Sequence, residues 1–125
     1  MRMILAVAAG GAVGAVGRYL IAAQALRLLG PNFPWGTLTV NVLGSFAMGV
    51  IVELSALRLS LSPPSRAFLV IGLLGGFTTF SAFSLDVSVL LERNEISRAA
   101  LYALVSVVLS VGALFAGLAV TRSWL

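Results

Sequence analysis

Residues 75–84 read GGFTTFSAFS and interrupt an apolar segment that opens with IGLL at residues 71–74. A plain Leu/Val helix would serve there if the segment only had to be hydrophobic. Glycine weakens a helix by about 1 kcal/mol relative to alanine, so Gly75 and Gly76 make this one easy to leave. Thr78, Thr79 and Ser81 carry hydroxyls that can bond the backbone groups a break would free. Carbonyls released at such a break suit a small hard cation. From spacing alone a second reading stands beside it, in which the glycines only pack and the hydroxyls bond their own helix.

The depth of this stretch follows from composition. The chain has 125 residues, of which 60% are hydrophobic and 10% charged, whereas a soluble domain is roughly 25% charged. Such a sequence cannot cover itself with a polar surface, and the class it fits is the integral membrane protein. It contains neither Cys nor His, which excludes disulfides, thiolate catalysis and His-ligated metals. No nucleophile–base constellation is visible either, so an enzyme is not expected. The net charge of +4 comes entirely from Arg, since Lys is absent. The Arg residues stand singly at segment ends, which makes no nucleic-acid patch and suits anchoring at the membrane lipid interface.

Three punctuated gaps divide the chain: GPNFPWG at 30–36, RLSLSPPSR at 58–66 and ERNEISR at 92–98. Between them lie spans at about 4–29, 36–57, 66–91 and 97–121, each able to hold the roughly 20 helical residues that cross a bilayer. Continuous apolar runs exclude barrel strands, which alternate. The expected fold is therefore all-α, a single four-helix transmembrane domain over residues 1–125, with neighbouring helices antiparallel. Pro31, Pro34, Pro63 and Pro64 all fall in the gaps, so no span is broken by proline. The N-terminal MRMILAVAAGGAVGAV resembles a secretory signal, but its apolar stretch runs on past Arg18 to Leu29, too far for one. Gly10 with Gly14, and Gly72 with Gly76, are GxxxG pairs that let helix backbones approach closely.

Polar side chains within the spans fall into stripes. Thr37, Asn41, Ser45 and Met48 follow helical spacing on the second span, and Tyr102, Ser106 and Ser110 are spaced by four on the last. An amide and three hydroxyls without a buried carboxylate form a donor track that suits an anion better than a cation. Phe77, Phe80 and Phe83 recur every third residue. A phenyl ring has a positive edge, so rings presented edge-on can favour an anion without a fixed charge. Arg18 is the one basic residue inside a span, and reaches a vestibule or serves a structural role by snorkelling. Glu53 and Asp86 lie nearer span ends, where they face a vestibule or pair with an Arg.

Taken together, G14AVGRY19, GTLTVNVLGSF at 36–46, GGFTTFSAFSLD at 75–86 and the Tyr102/Ser106/Ser110 track resemble the CrcB/Fluc family of fluoride channels over the whole chain. The resemblance implies an antiparallel, dual-topology homodimer of four-helix subunits that exports fluoride through two pores. It implies a third helix broken near its centre, and a structural sodium ion on the twofold axis held by the backbone carbonyls of Gly75 and Thr78. It places Asn41, Phe80, Phe83, Tyr102, Ser106 and Ser110 along the ion pathway, in the inner or plasma membrane of a prokaryote. The rival reading is a small four-span proton-coupled multidrug exporter, but that chemistry needs a carboxylate deep in a helix, and the first span has none. Charge bias fits dual topology. The side with both termini and the second gap carries Arg2, Arg58, Arg66 and Arg122, against Arg27, Arg93 and Arg98 opposite. Four against three is too weak a bias to fix one orientation.

Overall fold

The computed structural model describes residues 1–58 and 60–125; Leu59, in the second gap, lies outside the described residues. The described chain is helical throughout, with α1 over Arg2–Leu29, α2 over Trp35–Leu57, α3 over Pro63–Arg66, a π-helical segment over Ala67–Leu74, α4 over Gly75–Phe77, α5 over Phe80–Glu92 and α6 over Ile96–Trp124. Four helical stretches are long and apolar enough to cross a membrane: α1, α2, the run Pro63–Glu92, and α6. The chain is a multi-pass membrane protein.

Local chemistry explains where the helices stop. α1 ends at Gly30, whose φ of 83° is a left-handed conformation that glycine adopts without strain, and whose N–H closes on the Leu26 carbonyl. The turn into α6 uses Asn94 at φ 61°, a residue type that tolerates this region. Pro63 and Pro64, expected in a loop, are instead the first residues of α3, capped by Ser62, which accepts the Ser65 N–H. The correction has a simple cause: a proline at the start of a helix gives up an N–H that had no partner anyway.

Glycine faces then set the packing. A Cβ on Gly10 would overlap the Phe68 carbonyl, and one on Gly14 the Leu73 carbonyl. α1 therefore lies backbone to backbone against the π-helical segment. The contact between α2 and α6 is built the same way, since a Cβ on Gly49 would overlap the Leu114 carbonyl and one on Gly117 the Phe46 carbonyl. Farther along, Leu38, Leu90, Ala99 and Tyr102 form a small buried cluster. Most apolar side chains outside these contacts are exposed, Phe80 at 77% among them, as expected of faces that meet lipid or another subunit.

Beyond the Gly49–Gly117 crossing, α2 and α6 are clipped by a bidentate ion pair. Arg122 Nε donates to Glu53 Oε1 at 3.0 Å and Arg122 Nη2 donates to Oε2 at 3.2 Å. The carboxylate side chain is only 10% exposed and the guanidinium side chain 68% exposed, and this asymmetry makes a prediction. Arg122→Gln strands a buried carboxylate, whereas Glu53→Gln frees an Arg that can turn to water or headgroups. Thermal unfolding in detergent should show the larger loss for Arg122→Gln, and the double variant should recover part of it. Equal losses in the two single variants would contradict the asymmetry.

Candidate ion pathway

The third span leaves helical geometry at two residues. Thr78 has φ −88° and ψ 157°, and Thr79 has φ −153° and ψ 124°, both extended. In an unbroken helix the Thr79 N–H would bond the Gly75 carbonyl, and the Ala82 N–H the Thr78 carbonyl. Both donors are used elsewhere. Thr79 donates its N–H to Asn41 Oδ1 at 2.8 Å, and Ala82 donates its N–H to Thr79 Oγ1 at 3.1 Å. Asn41 also returns a bond, from Nδ2 to the Thr79 carbonyl at 3.0 Å. Its amide thus pairs with the N–H and C=O of Thr79 as a neighbouring antiparallel strand residue would. The next carbonyl, Gly76, accepts Arg18 Nε at 3.1 Å, across 58 residues of sequence. Thr78 Oγ1 bonds back to the Leu74 carbonyl at 3.0 Å.

Beside this interruption lies a cavity of about 390 Å³. Its wall includes Asn41, Ser45 and Met48 of α2, Thr78 and Thr79, Phe80 and Phe83 of α5, and Ser106 and Ser110 of α6. Among the described residues no charged side chain lines it. Among the described residues, none sits at hydrogen-bonding distance and angle from the buried Ser106 Oγ, where the cavity wall passes. The rings of Phe80 and Phe83 stand 5.4 Å apart, tilted by 40°.

Tyr102 is placed differently from the other track residues. It is fully buried and is absent from the cavity wall. Its ring lies 5.2 Å from Phe83 and 5.4 Å from Phe33, edge-on to the latter. Its hydroxyl donates to Asp86 Oδ2 at 3.0 Å. Asp86 in turn lines a second cavity of about 310 Å³, together with Thr37, Arg93 and the Asn32–Trp35 turn. Phe83, Tyr102 and Asp86 thereby form a bridge from one cavity to the other.

The structure so brings Asn41, Phe80, Phe83, Ser106 and Ser110 to one wall and sets Tyr102 one layer behind them. It turns Arg18 toward the interrupted backbone. The Thr79 hydroxyl takes a backbone group freed at the interruption, as its place in the sequence leads one to expect, whereas the role of Asp86 as the tyrosine's acceptor has no counterpart in the sequence reading. Thr79 is thereby the N-cap of α5. The Asp86 role depends on a contact between separate helices and has no local signal.

Residues 5–118 match the family described as CrcB-like protein, Camphor Resistance (CrcB). The chain is 57% identical over 120 residues to the fluoride-specific ion channel FluC of Agrobacterium fabrum, with 96% of each chain covered. It is 58% identical over 123 residues to the fluoride-specific ion channel FluC of Rhodospirillum centenum, with 98% of each covered. A third protein of that name, from Nitrobacter winogradskyi, is 56% identical over 119 residues. Similarity that runs through every span and both sides of the interrupted helix leaves one assignment: the chain belongs to the CrcB-like family.

Proposed function

We infer that this chain is a fluoride-specific ion channel of a prokaryotic inner or plasma membrane. The observation that carries the inference is the uncharged cavity where Asn41, Ser106 and Ser110 meet the rings of Phe80 and Phe83, in a chain so similar to proteins named for fluoride conduction. A small anion sheds water only if other donors replace it. Hydroxyls, an amide and ring edges supply donors without a fixed cation, so the ion can enter and still leave. Among the described residues the same wall presents no carboxylate for proton-coupled drug export.

The working unit is an antiparallel homodimer with two pores. The exposure of Phe80 and of the cavity mouth beside it fits a wall that a second subunit completes. The extended Thr78–Thr79 pair acts as a functional break in the third helix. Gly75 and Thr78 would supply backbone oxygens to a structural sodium ion, and the donor set fits one: both carbonyls have lost their helical N–H partners to side chains, and oxygen-only ligation suits a hard cation. Sodium would supply charge at the meeting of two breaks. Asn41, Ser106 and Ser110 mark the donor route, and Tyr102, whose hydroxyl proton goes to Asp86, supports Phe83 from the layer behind.

Fluoride efflux from liposomes under an imposed gradient tests the reading. Rapid efflux with no coupled counter-ion is the expected result. Efflux that requires a counter-ion would replace the channel with an exchanger, and no efflux from a well-folded preparation would overturn the assignment.

A further inference from the structure

Two extended residues in the middle of a membrane span need an account of their own. Unpaired backbone groups in hydrocarbon each cost several kcal/mol, so a bare interruption would tend to close back into helix. Closing would return the Thr79 N–H to the Gly75 carbonyl and the Ala82 N–H to the Thr78 carbonyl. Those two carbonyls are the ones the sodium reading needs free.

We propose that Asn41 and Thr79 are positioning residues of the cation site, each holding one competing N–H away from one ligand carbonyl. Asn41 Oδ1 takes the Thr79 N–H at 2.8 Å and so releases Gly75. Thr79 Oγ1 takes the Ala82 N–H at 3.1 Å and so releases Thr78. The Asn41 bond to the Thr79 carbonyl locks the first arrangement, because the amide offers an acceptor and a donor in one plane. Arg18 donates to one of the two intervening carbonyls, Gly76, and so takes it out of the ligand set. Three side chains from three spans thus act on which oxygens remain available, and the first two do so by holding back a competing N–H. None has to touch the ion. The proposal rests on the sodium reading above.

The test is the sodium dependence of stability in the purified full-length channel in detergent. Unfolding midpoints are measured as choline chloride is replaced by sodium chloride. The wild type should gain stability with a defined half-saturating sodium concentration. Asn41→Ala and Thr79→Ala should each raise that concentration about tenfold, equal to about 1.4 kcal/mol of lost affinity. Thr79→Ser keeps the hydroxyl acceptor and should stay near the wild-type value, an outcome that a loss of general packing would not produce. Should Asn41→Ala fail to fold, the Thr79→Ala and Thr79→Ser pair carries the test. Wild-type sodium dependence in both alanine variants overturns the positioning role while the sodium site stands. A wild type indifferent to sodium overturns the site itself, and the positioning role with it.

Discussion

Asn41→Asp is expected to abolish fluoride flux, and Asn41→Ser to retain a measurable part of it. The two substitutions differ in charge and in what they can do for Thr79. An aspartate can still accept the Thr79 N–H that Asn41 Oδ1 now receives. It cannot donate to the Thr79 carbonyl as Nδ2 does, and it sets a second oxygen against that carbonyl instead. It also places a negative charge on the wall of the cavity. Two like unit charges 4 Å apart repel by about 4 kcal/mol at an effective dielectric constant of 20. On a conduction barrier that corresponds to a loss on the order of a thousandfold. Serine is too short to bridge both groups of the Thr79 peptide, but it brings no charge. Initial efflux rates of the two variants, reconstituted at equal protein density, make the comparison. Equal rates at neutral pH would mean that Asn41 stands apart from the ion route and acts on the backbone alone.

What could be read from the sequence, and what could not, divides along the distance between partners. Four membrane helices are legible because each is a local property, an apolar run of sufficient length between turn clusters. The weakness at Gly75–Gly76 and the hydroxyls after it are local as well. Pro63 and Pro64 are harder to place, because a proline pair marks a helix start as readily as a loop, and here the Ser62 cap decides for the helix. The π-helical geometry of Ala67–Leu74 leaves no trace in AFLVIGLL, which reads like any apolar helix. The contacts that define the site join residues far apart. Asn41 meets Thr79 across 38 residues, Arg18 meets Gly76 across 58, and Arg122 meets Glu53 across 69. Sequence shows that each polar side chain in a span must find a partner, since an unpaired one is costly. Which partner it finds depends on how glycine faces bring α1 onto the third span and α2 onto α6. The family resemblance added the ion's identity, which helical spacing alone does not encode.

Phe80→Ile and Phe83→Ile should each reduce fluoride efflux by about tenfold or more, the rate equivalent of about 1.4 kcal/mol on the barrier. Isoleucine keeps the apolar character and loses the polarised ring edge, so the pair isolates the aromatic contribution. The two variants should part company in stability. Phe80 is 77% exposed in the subunit, and among the described residues its ring pairs with Phe83 alone. Its replacement should leave subunit unfolding nearly unchanged. Phe83 is half-buried against the core cluster and packs on Tyr102 as well. Each aromatic pair contributes about 0.5–1.5 kcal/mol beyond burial, so Phe83→Ile should lower the unfolding midpoint as well as the flux. It should also loosen the ring that bridges to Asp86, because Tyr102 would keep only Phe33 as an aromatic neighbour. The measurements are initial efflux rates and thermal midpoints on the same preparations, with elution profiles to check assembly. Loss of flux in Phe80→Ile without loss of stability would tie the effect to the ring edge. Wild-type flux in both variants would remove the rings from the mechanism and leave the amide and hydroxyl donors to carry the anion alone.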